Sequence, residues 1–301
     1  MKRFLGVDGG GSSTVALVAD ETGRVIREGR GGPSNVSDLG VFEKNLCEAV
    51  GDVDSEFESA CFGFSGGIEG KGLIAREIVR AKHYSVVHDA AIALTGATGG
   101  APGVVVIAGT GSIAFGKSGE GRTARAGGWG YAFGDEGSAY DIVRQALRAA
   151  LRLEEGWGRA TALHSALIES GGAASANDLL HRFYSAAFPR ARIAALAILV
   201  DELARSGDAV AIDILNGAAQ SLAALASAVR AQLFRADESA MISYSGGAFS
   251  SSQLLERFKM LVELDTANLF TTPKFLPVEG ALIEAFRAAG LDIIPRTDVS
   301  G

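Results

Sequence analysis

Three glycine-rich turns, each preceded by an apolar run, constrain this chain more than any other feature. They are VDGGGSST from Val7 to Thr14, VIAGTGS from Val106 to Ser112, and SYSGGAF from Ser243 to Phe249. Glycine permits positive φ and a close approach of the backbone, so several N–H groups can point at phosphate oxygens. Such turns at three distant places in the chain indicate a fold that holds one polyphosphate from several sides.

A fourth segment, VVHDAAIAL from Val86 to Leu94, adds a carboxylate where a predicted strand ends. Asp89 is the candidate general base, which would accept the proton of a hydroxyl as that hydroxyl attacks a phosphorus atom. A structural alternative is that Asp89 only caps the helix that follows. The two roles are compatible, and together with the turns they favour a phosphotransferase.

Length and composition indicate a soluble protein of two domains. The chain has 301 residues, of which 48% are hydrophobic and 21% charged. A length of 301 residues exceeds the usual single core, and no apolar run reaches the ~18 residues of a membrane helix. The apolar stretch before the first glycines is too short for a signal peptide, so we expect a cytoplasmic protein without a membrane partner.

Charge and cysteine content narrow the class of partner. The net charge of -7 and the pI near 5.2 argue against nucleic acid, which requires a basic face. An acidic protein that binds ATP must do so through local backbone N–H groups, helix N-termini and a divalent cation. Cys47 and Cys61 lack a metal-type spacing and are predicted to be reduced thiols.

The order of apolar segments predicts an α/β fold built from two similar halves. Strands at 2–7, 15–19 and 24–28 form a meander, and strands at 103–108 and 113–117 repeat its beginning around the second glycine turn. Helical spacing extends over 69–81, and an alanine- and leucine-rich block of helices covers about 138–230. We therefore place the domain boundary near residue 99.

Asp8 stands where the first strand enters its glycine turn, and the hydroxyls of Ser12, Ser13 and Thr14 follow. In a kinase such a carboxylate holds Mg²⁺ through water, while turn amides and hydroxyls bind the β- and γ-phosphates. An ordinary Asp-Gly hairpin turn is the alternative explanation, and the segment alone does not separate the two.

Two glycine-containing segments resemble the sequence motifs of other nucleotide-binding proteins. Gly109, Gly111 and Ala114 fit the GxGxxA pattern of dinucleotide-binding proteins, but that motif must open a helix, whereas IAFGKSGEG predicts a strand and a turn. SGGIEGKG resembles a Walker A loop, yet it has Ser65 and Gly72 at two positions where that motif requires Gly and Ser or Thr.

The tract AGGWGYAFGDEGSAYDI, from Ala126 to Ile142, combines aromatic and acidic residues ahead of a helix. Sugar sites unite an aromatic or apolar wall with carboxylates and amides that bind hydroxyl pairs. Alternatively, Asp135 or Ser138 caps the helix and Trp129 lies in the core. The four histidines show no ligand spacing, so we predict no structural zinc.

Taken in order, DGGGSST, PSN, FSGG, HDAAIAL, GVVVIAGTGS, GGWGYAFGDEGSAY, SYSGGAF and EGAL resemble the BadF/BadG/BcrA/BcrD ATPase family, and within it the N-acetylglucosamine kinases and archaeal ATP-dependent hexokinases. The match spans nearly the whole chain. This resemblance implies two RNase H-like domains of the actin-like ATPase type with a cleft between them. The first would cover 1–99, rejoined by a C-terminal helix at about 284–301, and the second 100–283 with the helical insertion.

The resemblance also implies residue roles. ATP would contact Asp8, Gly10, Gly11, Ser12, Gly109, Thr110, Gly111, Gly246 and Gly247. The sugar would face Asn35, Gly66, Gly67, Asp89, Ser112, Gly128, Trp129, Gly130 and Asp135. Asp89 would be the base and Asp8 would hold Mg²⁺ through water. Ser12 stands where related chains often have Thr, which keeps the hydroxyl.

The expected function is phosphorylation of N-acetylglucosamine by ATP and Mg²⁺, at the 6-hydroxyl. Glucosamine kinases and broad hexokinases use similar motifs and remain alternatives, and a homodimer is compatible with the resemblance. A regulatory ATPase whose nucleotide gates a partner is the alternative from another class, and a dinucleotide oxidoreductase is a third. The branch that activates dehydratases through an iron-sulfur cluster is disfavoured, because Cys47 and Cys61 lie away from the ATP turns.

Overall fold

A computed structural model describes residues 2–51, 56–186 and 188–296. The first sheet contains β1 (Arg3–Gly9), β2 (Thr14–Asp20), β3 (Val25–Gly31), β4 (Glu56–Phe64) and β5 (Arg80–His88), in the order β3-β2-β1-β4-β5. The pairs β1–β2 and β2–β3 are antiparallel, whereas β4 is parallel to both β1 and β5. This order brings the carboxyl ends of β1, β4 and β5 to one edge of the sheet.

Three helices accompany these strands: α1 (Leu39–Val50) connects β3 to β4, α2 (Glu69–Ile78) connects β4 to β5, and α3 (Asp89–Thr98) follows β5. Asp38 begins α1, and its carboxylate accepts hydrogen bonds from the N–H groups of Gly40 and Val41. The apolar face of α1 is buried against the sheet, where the rings of Phe42 and Phe64 pack edge to face with centroids 5.1 Å apart. The apolar residues that recur at helical spacing along α1 form this buried face.

The predicted helix over 69–81 is too long. The structure ends α2 at Ile78, gives Val79 an extended backbone, and begins β5 at Arg80. Pairing of Arg80 and Ala81 with Glu56 and Phe57 of β4 stabilises the extended form. Hydrogen bonds to a distant strand thus override a local helical pattern.

The second sheet repeats the arrangement of the first. It contains β6 (Gly103–Ala108), β7 (Ser112–Lys117), β8 (Thr123–Gly127), β9 (Ala240–Ser245) and β10 (Asn268–Phe270), in the order β10-β9-β6-β7-β8. In both sheets three consecutive strands lie side by side, and the last two strands add on the other side of the first. The predicted duplication of an α/β half is confirmed.

A run of helices separates β8 from β9: α4 (Ala139–Glu154), α5 (Leu163–Gly171), α6 (Ala176–Phe183), α7 (Arg190–Ala195), α8 (Ala197–Arg205) and α9 (Ala209–Leu233). By length and composition α9 could cross a membrane. Its buried residues, among them Leu215, Leu222 and Val229, make it a core helix, and such helices pass the same test.

The structure divides into two compact units. Unit 1 contains Met1–Val105, Gly119–Gly121 and Thr272–Gly301, and unit 2 contains Val106–Ser118 and Arg122–Thr271. The predicted domain boundary near residue 99 lies six residues before Val105, where the first segment of unit 1 ends. The predicted C-terminal helix that rejoins the first domain, from about 284, begins twelve residues after Thr272, where the last segment of unit 1 starts. Two further helices are α10 (Ser252–Val262) in unit 2 and α11 (Pro277–Ala288) in unit 1.

Helix α11 packs against α3 and β1 within unit 1. Gly280 makes this approach possible, because a Cβ atom there would collide with the carbonyl oxygen of Ile92 on α3. The Thr95 hydroxyl also donates to Glu284 Oε1 at 2.7 Å. The EGAL segment at the start of α11 therefore serves close helix packing behind the sheet.

Candidate active site

The candidate site of unit 1 lies at the carboxyl ends of three neighbouring parallel strands. Gly9 of β1 pairs with Phe64 of β4, which pairs with His88 of β5. Each of these residues is followed directly by a predicted site segment, so Gly10, Ser65 and Asp89 emerge at the same edge. In α/β sheets this edge is where ligands bind.

Backbone hydrogen bonds join three loops at this edge. The carbonyl oxygen of Gly9 accepts from the Ser65 N–H at 3.0 Å. The carbonyl oxygen of Gly10 accepts from the N–H groups of Ser34 at 3.0 Å and Asn35 at 3.4 Å. The glycine turn, the Pro33–Asn35 loop and the turn after β4 therefore form one connected surface.

Gly66 and Asn35, both predicted to face the sugar, are immediate neighbours. Gly66 has φ of 71° and Gly67 has φ of 91°. A Cβ atom on Gly66 would collide with Oδ1 of Asn35. Glycine is required there both for the backbone conformation and for the amide side chain beside it.

Asp8 and Asp89 are electrostatically coupled. Burial, and to a lesser extent the negative charge of Asp89, raise the pKa of the Asp8 carboxyl to about 7. Because Asp8 lies within β1, paired with Val15 and Gly63, it is not part of a two-residue hairpin turn. The hairpin explanation for the Asp-Gly pair is therefore wrong.

Asp89 is the first residue of α3 and is not its cap. His88 occupies the N-cap position without a side-chain capping bond. The carboxylate of Asp89 accepts from the N–H of Ala90 at 2.8 Å, and Nδ1 of His88 lies 2.7 Å from Oδ1 of Asp89. The carboxylate of Asp89 is therefore held at the N-terminus of α3 by a backbone N–H and lies against the ring of the preceding histidine.

Lys71 contacts the turn that carries predicted site residues, and the sequence analysis did not identify it. Its side chain is buried, and Nζ donates to the carbonyl oxygens of Ser65 at 2.5 Å and Gly66 at 3.4 Å. Burial lowers the pKa of Lys71, while the charge of Asp89 raises it. In the segment that resembles a Walker A loop, the lysine therefore stabilises the turn after β4 by donating to its carbonyl oxygens.

The carboxylate of Asp8 suits a magnesium ion bound mainly through water. Mg²⁺ keeps several waters and uses one or two carboxylates together with substrate phosphates. A cation near Asp8 would offset the burial and the like charge that raise its pKa. Among residues 2–51, 56–186 and 188–296 no group of three or more His, Cys, Asp or Glu side chains could hold a metal by itself.

In unit 2, the second and third glycine turns contact each other. Gly246 follows β9 with φ of 100°, and a Cβ atom there would lie 2.5 Å from the carbonyl oxygen of Ala108. The carbonyl oxygen of Gly109 accepts from the N–H of Ala139, where α4 begins. Ser112 starts strand β7 rather than a helix, which removes the structural context for the dinucleotide fingerprint.

Asp135 packs against the second glycine turn. Its side chain is 6% exposed, and its backbone has φ of 62°, the only positive value among the described residues other than glycine. Oδ1 accepts from the Ser112 N–H at 3.3 Å, and the carboxylate lies so close to Gly111 that a Cβ atom there would approach within 2.9 Å. This crowding accounts for the glycine at 111.

The aromatic part of the 126–142 tract is exposed. Trp129 has 67% of its surface exposed, so its predicted alternative place in the core is wrong. The guanidinium of Arg125 lies 4.8 Å from the Trp129 ring centroid. Ser138 caps α4 by accepting from the Asp141 N–H, so the capping role belongs to Ser138 and not to Asp135.

The predicted site residues fall into two sets, one in each unit. Unit 1 carries Asp8, Gly10, Gly11, Ser12, Asn35, Gly66, Gly67 and Asp89. Unit 2 carries Gly109, Thr110, Gly111, Ser112, Gly128, Trp129, Gly130, Asp135, Gly246 and Gly247. Sequence reasoning missed Lys71, His88 and Arg190, which contact members of these sets.

A comparison with models of known protein families identifies the family of this chain. The model of the BadF/BadG/BcrA/BcrD ATPase family matches residues 5–285, and the chain belongs to that family. An N-acetylmuramic acid/N-acetylglucosamine kinase of Clostridium acetobutylicum is 33% identical over 281 residues, which cover 88% of this chain and 92% of the relative. An N-acetyl-D-glucosamine kinase of Dictyostelium discoideum is 30% identical over 280 residues, which cover 84% of this chain and 87% of that relative.

Solved structures agree on the fold. A Chromobacterium violaceum structure, described provisionally as an N-acetylglucosamine kinase, is 25% identical with a TM-score of 0.76 and covers 94% of this chain and 98% of its own. A Streptomyces griseus ROK family glucokinase is 16% identical with a TM-score of 0.64 and covers 95% of this chain and 99% of its own. The predicted actin-like sugar kinase class is confirmed.

Proposed function

We propose that this protein transfers the γ-phosphoryl group of ATP to the 6-hydroxyl of N-acetylglucosamine, with Asp89 as general base. The family is an ATPase family, and both curated relatives carry kinase names that include N-acetylglucosamine. The observation that carries the proposal is the meeting of Asp8, Asp89, the first glycine turn and the Asn35–Gly66 contact at one sheet edge.

The chemistry assigned to Asp89 is proton acceptance. As the sugar oxygen bonds to the γ-phosphorus, the bond from that phosphorus to the bridging oxygen breaks, ADP leaves, and the hydroxyl proton passes to the Asp89 carboxylate. A positioned base of this kind contributes about 10²- to 10⁴-fold to the rate. Most of the remaining acceleration in phosphoryl transfer comes from alignment and charge neutralisation.

Backbone groups of the glycine turns are assigned to ATP. In unit 1 these belong to Gly10, Gly11 and Ser12, and in unit 2 to Gly109, Thr110 and Gly111, with Gly246 and Gly247 against the adenosine. Bound Mg²⁺ would neutralise phosphate charge, and Asp8 would hold it through water. Local N–H groups suit a chain whose net charge of -7 would otherwise repel ATP.

The sugar is assigned to the remaining polar groups. Asn35 and the Gly66–Gly67 turn supply an amide and backbone groups in unit 1, while Ser112, Gly128–Gly130 and Asp135 do so in unit 2. A buried carboxylate and an exposed aromatic ring are the features that sugar sites combine. Glucosamine and neutral hexoses share most of the same hydroxyl groups, so they are the competing acceptors.

A sugar panel tests the proposal. The purified protein is given Mg²⁺ and ATP with N-acetylglucosamine, N-acetylmuramic acid, glucosamine, N-acetylmannosamine, glucose or mannose, and ADP release is measured. We expect N-acetylglucosamine to give the highest kcat/KM and a product phosphorylated at O6 by ³¹P and ¹³C NMR. ADP release unaffected by every sugar would contradict the proposal and favour a regulatory ATPase.

A further inference from the structure

Asp135 is joined to a residue 55 positions later in the chain. Its Oδ2 atom lies 3.2 Å from Nη2 of Arg190, the first residue of α7. Oδ1 is held separately by the Ser112 N–H. The two carboxylate oxygens therefore have different fixed partners, which sets the orientation of the whole group.

Arg190 is itself held by two aromatic rings. Its guanidinium carbon lies 4.5 Å from the ring centroid of Tyr131 and 5.7 Å from that of Tyr140. These two rings pack edge to face with centroids 5.4 Å apart. A planar guanidinium can contact aromatic faces and a carboxylate at once, which the compact ammonium of lysine does less well.

We infer that Arg190 is a positioning residue for sugar recognition: it holds the Asp135 carboxylate in the orientation that accepts a hydrogen bond from a sugar hydroxyl. This inference rests on the proposed function. An ionised carboxylate only accepts, whereas a protonated one presents a donor to a hydroxyl that must itself donate. Charge-assisted bonds from a hydroxyl to a fixed carboxylate are about twice as strong as neutral ones.

The charges around Asp135 explain why it needs Arg190. Burial is the largest effect and raises the pKa of Asp135, and the charge of Glu136 acts in the same direction. The N–H groups of Ser112 and Gly130 and the charge of Arg190 act in the opposite direction. Among these groups Arg190 is the one cation, so its loss would raise the pKa of Asp135 further.

The experiment compares Arg190→Gln and Arg190→Lys with Arg192→Gln, a control that removes a cation from the same helix, where Arg192 lies against Phe188. We expect Arg190→Gln to raise KM for N-acetylglucosamine about tenfold or more, the size of a lost hydrogen bond to a charged group. KM for ATP should change less than about twofold. Arg190→Lys should fall between the wild type and Arg190→Gln.

Two further readouts separate positioning from general structural damage. The acid limb of kcat/KM for the sugar should move to higher pH in Arg190→Gln, because fewer molecules then carry ionised Asp135. Combined with Asp135→Asn, Arg190→Gln should add little further loss, since the two residues act through one contact. Additive losses, or an acid limb that stays in place, would overturn the inference.

Folding and substrate class are controlled directly. If Arg190→Gln does not fold by circular dichroism, Arg190→Lys alone decides, and wild-type KM and pH profile in that variant would overturn the inference. A loss confined to N-acetylmuramic acid would mean that Arg190 contacts the acid group itself, which also overturns positioning through Asp135. Absence of wild-type activity on every sugar instead refutes the proposed function.

Discussion

Replacing Asp8 by Asn should stabilise the nucleotide-free protein at neutral pH. In the folded protein the pKa of this carboxyl is about 7, against an ordinary value of 3.8. Because the folded state holds the proton more tightly than the unfolded state, folding stability falls as pH rises through this window. Asparagine has no proton to lose and avoids the penalty.

The magnitude follows from the two pKa values. A difference of about three pKa units corresponds to roughly 4 kcal/mol in the free energy of unfolding. Most of it accumulates below neutrality, so the pH-dependent advantage of Asp8→Asn should be about 2 kcal/mol at about pH 5 and about 4 kcal/mol at about pH 8. These are upper figures, because relaxation around a buried charge reduces them.

The assay is urea unfolding of both proteins at several pH values, in EDTA and without nucleotide. The difference in unfolding free energy is plotted against pH, which cancels the titrating groups that do not interact with residue 8. Asp20→Asn is the control in the same unit. Hydrogen bonds from Thr22 lower the pKa of Asp20, so Asp20→Asn should lose stability at neutral pH and regain parity in acid.

A stability difference between wild type and Asp8→Asn that stays constant from acid to mildly alkaline pH would refute the reasoning. It would mean that Asp8 is ionised without penalty in the folded protein. The cause assigned to its raised pKa, burial reinforced by Asp89, would then be wrong.

Three further outcomes are expected. Gly246→Ala should destabilise the protein by at least about 1 kcal/mol in thermal unfolding, because φ is 100° and the new Cβ atom would lie 2.5 Å from the Ala108 carbonyl oxygen; a wild-type Tm would contradict this. Lys71→Met should raise KM for the sugar, because it removes the donor to the carbonyl oxygens of Ser65 and Gly66. Loss of this donor costs about 1 to 3 kcal/mol. Lys71→Arg keeps a donor and should have a lower KM than Lys71→Met; equal KM values in the two variants would contradict this role of the contact. Iodoacetamide should modify Cys47 before Cys61, because the Cys61 thiol is fully buried and burial raises its pKa to about 12. Peptide mass spectrometry measures the order of modification, and earlier labelling of Cys61 would contradict the prediction.

Local chemistry made much of the fold predictable. Leu39, Phe42, Leu46, Ala49 and Val50 recur at helical spacing, and helix α1 forms over that segment, Leu39–Val50. The glycine turns and the strand before Asp89 were also predictable from local sequence. Their position at one edge of the sheet follows because parallel strands place their carboxyl ends together. The end of α2 was not, since it depends on β4 pairing with Arg80 and Ala81.

The supporting contacts of the site were less predictable. Lys71 is six residues from Ser65, but only the folded turn brings its ammonium to that carbonyl oxygen. Arg190 and Asp135 are 55 residues apart, and no local pattern connects them. Such contacts are decided by packing rather than by propensity, which is why the sequence indicated the candidate reacting groups and not the residues that contact them.

The most direct test of the central claim is the rate of N-acetylglucosamine phosphorylation by Asp89→Asn. We expect kcat to fall by about 10²- to 10⁴-fold. Nucleotide affinity, measured by calorimetry with a non-hydrolysable ATP analogue, should remain near that of the wild type. A variant that binds the analogue normally and still phosphorylates the sugar at close to the wild-type rate would contradict the account.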